Sequence, residues 1–260
     1  MAPTLNNVIV IGGGGNIGVA IVSALITSKF NVSVLTRLES EGTFPEEVKI
    51  FRSDYSLPSV TEIFRGWDAV VCALSHNVWG EQLKLIDAAV AAGVKRFIPS
   101  EYGTNMLNAN LVKLFSPRLD AKVDVLELLR TKESEGLSWT GIATGPFFDW
   151  GFQISLFGFS NVKDRSAVIY DGGDRPFSTT NVNQVANAVV AVLSKPEETI
   201  NKYLFVDSFT TTQNEILRAL EKASGKWQVK ESMTEAALRK GKELVVKGDY
   251  GGNALLFEVQ

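Results

Sequence analysis

The amino-terminal region contains the feature that most restricts the fold of this chain. A fully apolar, β-branched run at residues 8–11 is typical of a strand buried on both faces of a parallel sheet. Gly12, Gly15 and Gly18 follow at a spacing of three and lead into an amphipathic helix predicted over residues 17–29. A strand, a glycine turn and a helix in this order predict the first unit of a doubly wound α/β sheet.

The alternation of strand and helix patterns continues as far as residue 144. Helix patterns lie at 60–65, 81–92 and 116–134, and strand patterns lie at 31–36, 48–52, 68–74, 95–99 and 137–144. The helix at 116–134 is expected to begin with Ser116 as N-cap and Pro117 as its first residue. Alternating elements with short connections predict an α/β chain with a Rossmann-type doubly wound parallel sheet.

In the second half of the chain, strand and helix patterns alternate less regularly. A strand is predicted over 167–170 and another over 203–206, and helices are predicted over 182–193, 212–223 and 233–245. Thr212 and Glu215 form a capping box at the start of one of these helices. We therefore predict a cofactor domain at 1–150 and a smaller C-terminal substrate lobe at 151–260, with 182–206 as a candidate to return to the sheet.

Composition and charge exclude several classes of function. The net charge is −3 and no basic block is present, so nucleic acid is not an expected partner. With one cysteine, Cys72, and one histidine, His76, neither a disulfide within the chain nor a cysteine- or histidine-rich metal site is expected. No apolar stretch is long enough to span a membrane and residues 1–5 do not resemble a signal peptide, so we expect a cytoplasmic protein without a membrane partner.

The glycine turn predicts a dinucleotide site. Gly12 permits the tight turn, Gly15 lets the backbone approach a pyrophosphate, and Gly18 lets the helix pack close to the sheet. The free N–H groups at the helix start then face the anion. An ordinary turn is the alternative, but the position between a strand and a helix favours the dinucleotide. The expected contacts here are Gly12, Gly14, Gly15, Asn16, Ile17 and Gly18.

The end of the second strand indicates which dinucleotide is bound. Arg37 lies 19 positions after Gly18, where a guanidinium can meet the 2′-phosphate of NADP. A solvated surface arginine is the alternative, and Glu39 keeps NAD(H) open as a minority option. Asp54, after the third strand, lies either near the adenine or in a simple polar loop. We predict NADP(H) as the cofactor.

Longer motifs narrow the prediction to one family. They are GGGGNIG at 12–18, VLTR at 34–37, AAGVKRFIPSEYG at 91–103, AKV at 121–123 and TGPFF at 144–148. In order and spacing, from about residue 7 to residue 207, the chain resembles the NmrA-like, isoflavone-reductase-like branch of the atypical short-chain dehydrogenases, to which pinoresinol-lariciresinol and phenylcoumaran benzylic ether reductases belong. The block at 91–103 is far more specific than the glycine turn.

The resemblance implies an NADP(H)-dependent reductase and matches Lys122 to the family's catalytic lysine. The chain departs from the usual Lys-x-x-x-Arg pattern, because Leu126 stands where the arginine is expected. The tyrosine-lysine pair of ordinary short-chain dehydrogenases is absent, because Met106 stands four positions after Tyr102. Phe147 and Phe148 resemble the family's aromatic pair beside the nicotinamide, with core packing as the alternative.

Further candidates follow from their positions at strand ends. Leu74, Ser75 and His76 follow the fourth strand and are expected to pass under the cofactor, with His76 either an acid-base group or a locally hydrogen-bonded loop histidine. Ser100 and Tyr102 either orient substrate or cap and pack locally. Cofactor contacts are also expected from Lys122, Gly145, Pro146 and Phe147, and substrate contacts from Ser100, Tyr102, Phe148, Trp150 and Phe152.

Together these features predict a reductase in which NADPH delivers a hydride to an aromatic or alkaloid-like small molecule of secondary metabolism. Lys122 relays the proton if burial lowers its pKa, and is otherwise a solvated helix lysine. Two alternatives remain: an NmrA-like regulator that senses the dinucleotide without catalysis, and a cyclase or isomerase that does not consume the cofactor. The chain is also shorter than most relatives, which a shortened lobe or a truncation would explain.

Overall fold

The computed structural model describes residues 5–159 and 163–247, together with Gly252, Leu255 and Leu256. The described residues in Met1–Thr144 and Val182–Val206 form one compact unit, and those in Gly145–Asn181 and Asp207–Gln260 form a second. The second unit begins at Gly145 rather than at residue 151, because Phe147 pairs with Thr180 and the Thr180 N–H donates to the Pro146 carbonyl. The assignment of cofactor and substrate to the two units remains a prediction.

The strands and helices of the described residues are numbered in chain order. The strands are β1 (Asn7–Ile11), β2 (Asn31–Arg37), β3 (Lys49–Ser53), β4 (Ala69–Cys72), β5 (Arg96–Ile98), β6 (Ser138–Ala143), β7 (Ser166–Tyr170), β8 (Phe177–Thr179), β9 (Lys202–Phe205), β10 (Phe209–Thr211) and β11 (Gln228–Ser232). The helices are α1 (Asn16–Thr27), α2 (Leu57–Phe64), α3 (Gln82–Ala92), α4 (Ala109–Phe115), α5 (Asp120–Lys132), α6 (Phe148–Gly151), α7 (Val182–Ser194), α8 (Pro196–Thr199), α9 (Gln213–Ser224) and α10 (Thr234–Val246).

The first unit contains a seven-stranded sheet in the order β3-β2-β1-β4-β5-β6-β9. All neighbouring strands in it are parallel. The apolar run of β1 is fully buried at the centre, because both of its neighbours and the helices above and below exclude water. The predicted Rossmann-type doubly wound sheet is therefore confirmed.

The helices of the first unit pack against one another in two groups. Helix α1 packs on α7, while α3 packs on both α2 and α5. Each buries an apolar face, as with Ile21 and Leu25 of α1 and Val185 and Val189 of α7. Within the described residues, no helix is long and apolar enough to cross a membrane.

A buried arginine ties three elements of the first unit together. Arg96, at the start of β5, donates to the hydroxyls of Ser138, Thr140 and Thr199 and to the carbonyl of Pro196. Burial lowers its pKa to about 10, so the guanidinium remains charged at neutral pH. The hydrogen bonds to β6 and α8 compensate for the loss of hydration of this charge.

The predicted start of the helix at residues 116–134 is wrong. Ser116 follows α4, and α5 begins only at Asp120. The side chain of Asn108 accepts hydrogen bonds from the N–H groups of Asn110 and Leu111, and this cap starts the extra helix α4. Ser116 ends α4 because a residue before proline disfavours helical backbone angles.

The second unit combines two short sheets with helices α6, α9 and α10. Strand β7 pairs in parallel with β11, and β8 pairs antiparallel with β10. The capping box predicted at Thr212 and Glu215 is present at the start of α9. One hydrophobic core cluster of this unit contains Phe157, Phe159, Ala167, Ile169, Ile216 and Trp227.

The glycine turn between β1 and α1 depends on close backbone contacts. Gly12 has a φ of 77°, and a side chain there would meet the Ala73 carbonyl oxygen at 2.5 Å. A methyl group at Gly18 would overlap the Gly12 carbonyl oxygen and lie 2.8 Å from Gly13. A methyl group at Gly14 would meet only the Phe44 ring, at 3.6 Å. Glycine is therefore required at positions 12 and 18 for packing, whereas position 14 has room for a methyl group.

We predict that Gly18→Ala lowers the free energy of unfolding by about 1–3 kcal/mol, because backbone atoms cannot rotate away from the added methyl group. Gly14→Ala is the matched control and should change it by less than about 0.5 kcal/mol. Chemical denaturation of both variants measures the difference. Equal stabilities for the two variants would contradict the close packing of α1 on the turn.

Candidate functional site

The candidate site lies at the carboxyl edge of the seven-stranded sheet. The strands are parallel, so the residues after β1, β2, β4 and β5 all lie at this edge, where α/β sheets bind their ligands. The glycine turn follows β1, Arg37 ends β2, Leu74 follows β4, and Ser100 follows β5. The fold thus places the sequence-predicted residues of the first unit at one edge.

The glycine turn is suited to a dinucleotide pyrophosphate. Helix α1 starts after Gly15 without a side-chain cap and has no acidic residue in its first turn. Its first N–H groups and its positive dipole end are therefore available to an anion. The methyl-free surface at Gly14 and Gly15 leaves space for close approach of a phosphate. The residues present fit the predicted cofactor.

Arg37 and Asp54 differ in whether local hydrogen bonds already occupy their side chains. Arg37 is exposed at the end of β2, in register with Ser53 of β3. Asp54 accepts a hydrogen bond from the Ser56 N–H, and this bond holds the pKa of its carboxyl below its usual value. Asp54 therefore has a local role in the turn, while the predicted roles of Arg37 and Glu39 remain open.

A hydrogen-bonded network fixes the loop after β4 to the end of β5. The Leu74 carbonyl accepts from the Trp79 indole N–H at 3.2 Å and from the Ser100 hydroxyl at 2.8 Å. The buried Gln82 side chain accepts from the Ser100 N–H at 2.7 Å and donates to the Trp79 carbonyl at 3.2 Å. The two donors of Ser100, its N–H and its hydroxyl, are used locally, and its contact with a substrate remains a prediction.

Lys122 is buried at this edge, in the first turn of α5. Its residue surface is only 2% exposed, and its Nζ lies 4.4 Å from the centre of the Trp79 ring. An ammonium over an indole face gains electrostatic stabilisation from the ring. Burial lowers the pKa of Lys122, and the negative charge of Glu101 opposes that change. The alternative of a solvated helix lysine does not apply.

Glu101 and Tyr203 form a hydrogen-bonded pair in which Glu101 is buried and Tyr203 is half-buried. The Tyr203 hydroxyl donates to Glu101 Oε2 at 3.1 Å and accepts from the Met106 N–H at 3.0 Å. Burial raises the pKa of Glu101 above its ordinary value, and the smaller opposing effects of Lys122 and the Tyr203 hydroxyl do not cancel this rise. Tyr102 is also buried, which raises the pKa of its hydroxyl. Its role in substrate binding remains a prediction.

The loop residues Ser75 and His76 are exposed. The His76 ring contacts Trp79 edge to face, with 6.3 Å between the ring centres. Partial burial, and then the positive charge of Arg118, lower the pKa of His76 below its ordinary value. Among the described residues, no group of three histidine, cysteine or acidic side chains is placed to hold a metal ion.

The remaining predicted contacts belong to the second unit. Gly145 and Pro146 precede α6, and Phe147 contacts the exposed Trp150 edge to face at 6.4 Å. Phe148 and Phe152 pack on each other at 5.0 Å and on the core residue Phe157. Core packing therefore accounts for part of their surface, and their contacts with cofactor or substrate remain predictions.

Sequence reasoning missed four residues of the first-unit site: Trp79, Gln82, Glu101 and Tyr203. Glu101 stands inside the specific block at 91–103, which could have identified it. Trp79 and Gln82 belong to the site through side-chain hydrogen bonds and the contact with Lys122, and hydrophobic periodicity in the sequence does not encode such contacts. Tyr203 lies 102 positions after Glu101, so only the fold brings the two together.

Comparison with known proteins identifies the family. A model of the NmrA-like family matches residues 4–247. "Oxidoreductase aprR" of Aspergillus flavus is 39% identical over 253 residues, which cover 96% of this chain and 84% of that protein. "Oxidoreductase poxI" of Penicillium oxalicum is 34% identical over 240 residues, which cover 91% of this chain and 76% of that protein.

A solved structure has the same fold. The structure described as "AtPrR2 with NADP+ and (+)pinoresinol" matches with a TM-score of 0.79 and 23% identity, over 96% of this chain and 89% of that one. At this identity the similarity concerns the fold alone. Taken with the family match and the 39% identity over nearly the whole chain, it agrees with the motifs of the sequence. The chain belongs to the NmrA-like family, as those motifs predicted.

Proposed function

We propose that this chain is an NADP(H)-dependent oxidoreductase of the isoflavone-reductase-like type, which reduces an aromatic or alkaloid-like small molecule. The observation that carries the proposal is Lys122, a fully buried lysine held against Trp79 at the ligand-binding edge of a dinucleotide-type sheet. Burying an ammonium is costly, and perturbed titratable groups in such positions are typical of functional sites. Relatives named oxidoreductases support the same class of activity.

The residues of the glycine turn support NADP(H) as the cofactor. The uncapped start of α1 would hold the pyrophosphate, and the exposed Arg37 would hold the 2′-phosphate. A solved structure of the same fold is described with NADP+ bound. When bound, NADPH supplies a hydride to the substrate.

The chain's own residues supply the proton. In this proposal the Lys122 ammonium donates a proton to the atom of the substrate that becomes basic on reduction. The Trp79 ring holds the ammonium in place, and the network of Leu74, Gln82 and Ser100 holds Trp79. Burial keeps bulk water away from this proton donor.

The substrate class rests on two supporting observations. The second unit is rich in aromatic side chains around Phe148 and Phe152, with Trp150 exposed beside them. Such surfaces suit flat, apolar molecules. The solved structure of the same fold is described with pinoresinol, an aromatic compound. We propose substrate contacts at Phe148, Trp150 and Phe152 on this basis.

Steady-state oxidation of NADPH with a panel of aromatic and alkaloid-like compounds tests the function. We expect NADPH consumption matched by an equal amount of reduced product. Equal affinity for oxidised and reduced cofactor without turnover would favour the regulator. Product formation without net consumption of cofactor would favour a cyclase or isomerase.

We predict that Arg37→Ala weakens binding of NADPH by about tenfold to a hundredfold and leaves binding of NADH nearly unchanged, because hydrogen bonds to charged groups contribute about 1.5–3 kcal/mol. Fluorescence titration with both cofactors measures this. Arg65→Ala is the control, since Arg65 is an exposed arginine paired with Glu62. An equal loss for both cofactors would count against a 2′-phosphate contact.

We also predict that Lys122→Gln lowers kcat by about 10²- to 10⁴-fold, the usual contribution of a positioned acid, while NADPH still binds. Lys195→Gln, at an exposed lysine paired with Glu198, should leave kcat unchanged. In the wild type, activity should fall as pH rises through the pKa of Lys122, which burial lowers from its ordinary value. Full activity of Lys122→Gln would eliminate the proton-donor role.

A further inference from the structure

We propose that Phe44 is a further cofactor-binding residue, whose ring forms an apolar wall beside the glycine turn and slows release of the bound dinucleotide. This inference rests on the proposed function in one respect, since it takes the NADP(H) site assigned there. Phe44 belongs to the segment at residues 38–48, which joins β2 to β3. This segment lies outside the motifs that identify the site, so only the structure brings Phe44 to it.

The Phe44 ring lies against the backbone of the glycine turn. A methyl group placed at Gly14 would meet the Cζ atom of the ring at 3.6 Å, which is an ordinary van der Waals distance. A methyl group placed at Gly42, in the segment itself, would meet the Cε2 atom of the same ring at 3.6 Å. Because neither glycine has a side chain, the ring can come close to the backbone at both positions. The segment therefore reaches the turn through this ring.

Hydrogen bonds fix the segment on both sides of Phe44. Before it, the Ser40 carbonyl accepts from Nη2 of Arg52, on the neighbouring strand β3, at 3.1 Å. After it, the Pro45 carbonyl accepts from the Val48 N–H at 2.9 Å, and the side chain of Val48 is buried. The ring is thus attached to a segment that is tied to the sheet at both ends.

The ring borders the place where the pyrophosphate is proposed to bind. Gly14 and Gly15 are exposed and come directly before the uncapped start of α1. The N–H groups there remain open to an anion while the ring bounds the turn on one side. Phe44 itself is half-buried, so part of its apolar surface is still available to a ligand. A dinucleotide on the turn would cover that surface.

The charge of the segment explains why a neutral side chain suits this position. Four exposed glutamates flank Phe44, namely Glu39, Glu41, Glu46 and Glu47. A carboxylate beside the turn would repel a pyrophosphate, whereas an uncharged ring does not. The ring also excludes water from one side of the phosphate, and lower local polarity strengthens hydrogen bonds to the N–H groups of the turn.

Binding of NADPH and NADH to the full chain tests the inference without any substrate. We expect Phe44→Ala to weaken both cofactors about fivefold to thirtyfold, the range that loss of one partly buried apolar contact produces. Most of the loss should appear as faster dissociation in stopped-flow displacement. Phe30→Ala, at a half-buried phenylalanine beside the amino end of β2, is the matched control and should leave both affinities unchanged.

The comparison of the two cofactors separates a wall beside the pyrophosphate from an indirect effect through Arg37. The pyrophosphate is common to NADPH and NADH, so a wall beside it should affect both equally. Adenosine 2′-phosphate lacks the pyrophosphate and should bind to Phe44→Ala as it binds to the wild type. A loss confined to NADPH and adenosine 2′-phosphate, or unchanged binding of both cofactors to folded Phe44→Ala, overturns the inference.

Two further variants separate the apolar wall from a role in folding. Phe44→Leu keeps most of the apolar volume and should keep most of the affinity for both cofactors. Phe44→Glu places a carboxylate beside the turn and should weaken both cofactors more than Phe44→Ala does. Chemical denaturation shows that each variant is folded. If Phe44→Ala fails to fold, these two variants decide, and equal cofactor affinities for them overturn the inference.

The same measurements distinguish this inference from the proposed function. A chain that releases both cofactors faster without Phe44, yet never oxidises NADPH with any substrate, would support the wall and contradict the reductase. An active reductase whose Phe44→Ala variant releases both cofactors at the wild-type rate would contradict the wall and leave the reductase intact.

Discussion

The contact between the start of α1 and the loop after β1 is the constraint on which the rest of the candidate site depends. At Gly18 the helix comes so close to the Gly12 carbonyl that no side chain fits between them. This close approach sets the direction of α1, and α7 packs against α1 in the same unit. It also directs the uncapped helix start at the carboxyl edge. One backbone contact therefore serves both folding and the proposed anion site, because the glycines that permit tight packing also expose the N–H groups.

Buried charges in the first unit fall into two kinds, and the difference separates scaffold from site. Arg96 donates to four oxygens, and these hydrogen bonds join β5 to β6 and α8. Glu101 and Lys122 are less completely bonded, with an oxygen of Glu101 left without a hydrogen bond among the described residues. A fold gains nothing in stability from such incomplete bonding, since hydrophobic side chains of similar size would pack there at lower cost. Departures of this kind are expected where a chain is adapted to bind or react.

The sequence predicted what local patterns encode. The apolar runs predicted the strands, the glycine spacing predicted the turn, and the capping box at Thr212 predicted the start of α9. The helix start predicted at Ser116 is wrong, because Asn108 starts a separate helix upstream and the next helix begins only at Asp120. Sequence reasoning also missed the pairing of Glu101 with Tyr203 and the bonds of Arg96 to Thr199, because contacts across about a hundred residues depend on the strand order and leave no periodic signal.

The positions of His76 and Lys122 indicate which of the two suits the proposed proton transfer. An acid must hold its proton at the working pH, and partial burial, then the positive charge of Arg118, lower the pKa of His76 and so disfavour its protonated form. His76 is also exposed, so water competes for any proton that it releases. Lys122 is shielded from water, and the buried Glu101 carboxylate opposes the loss of its proton. Burial lowers the pKa of Lys122 and Glu101 opposes that change, whereas both burial and Arg118 disfavour the protonated form of His76.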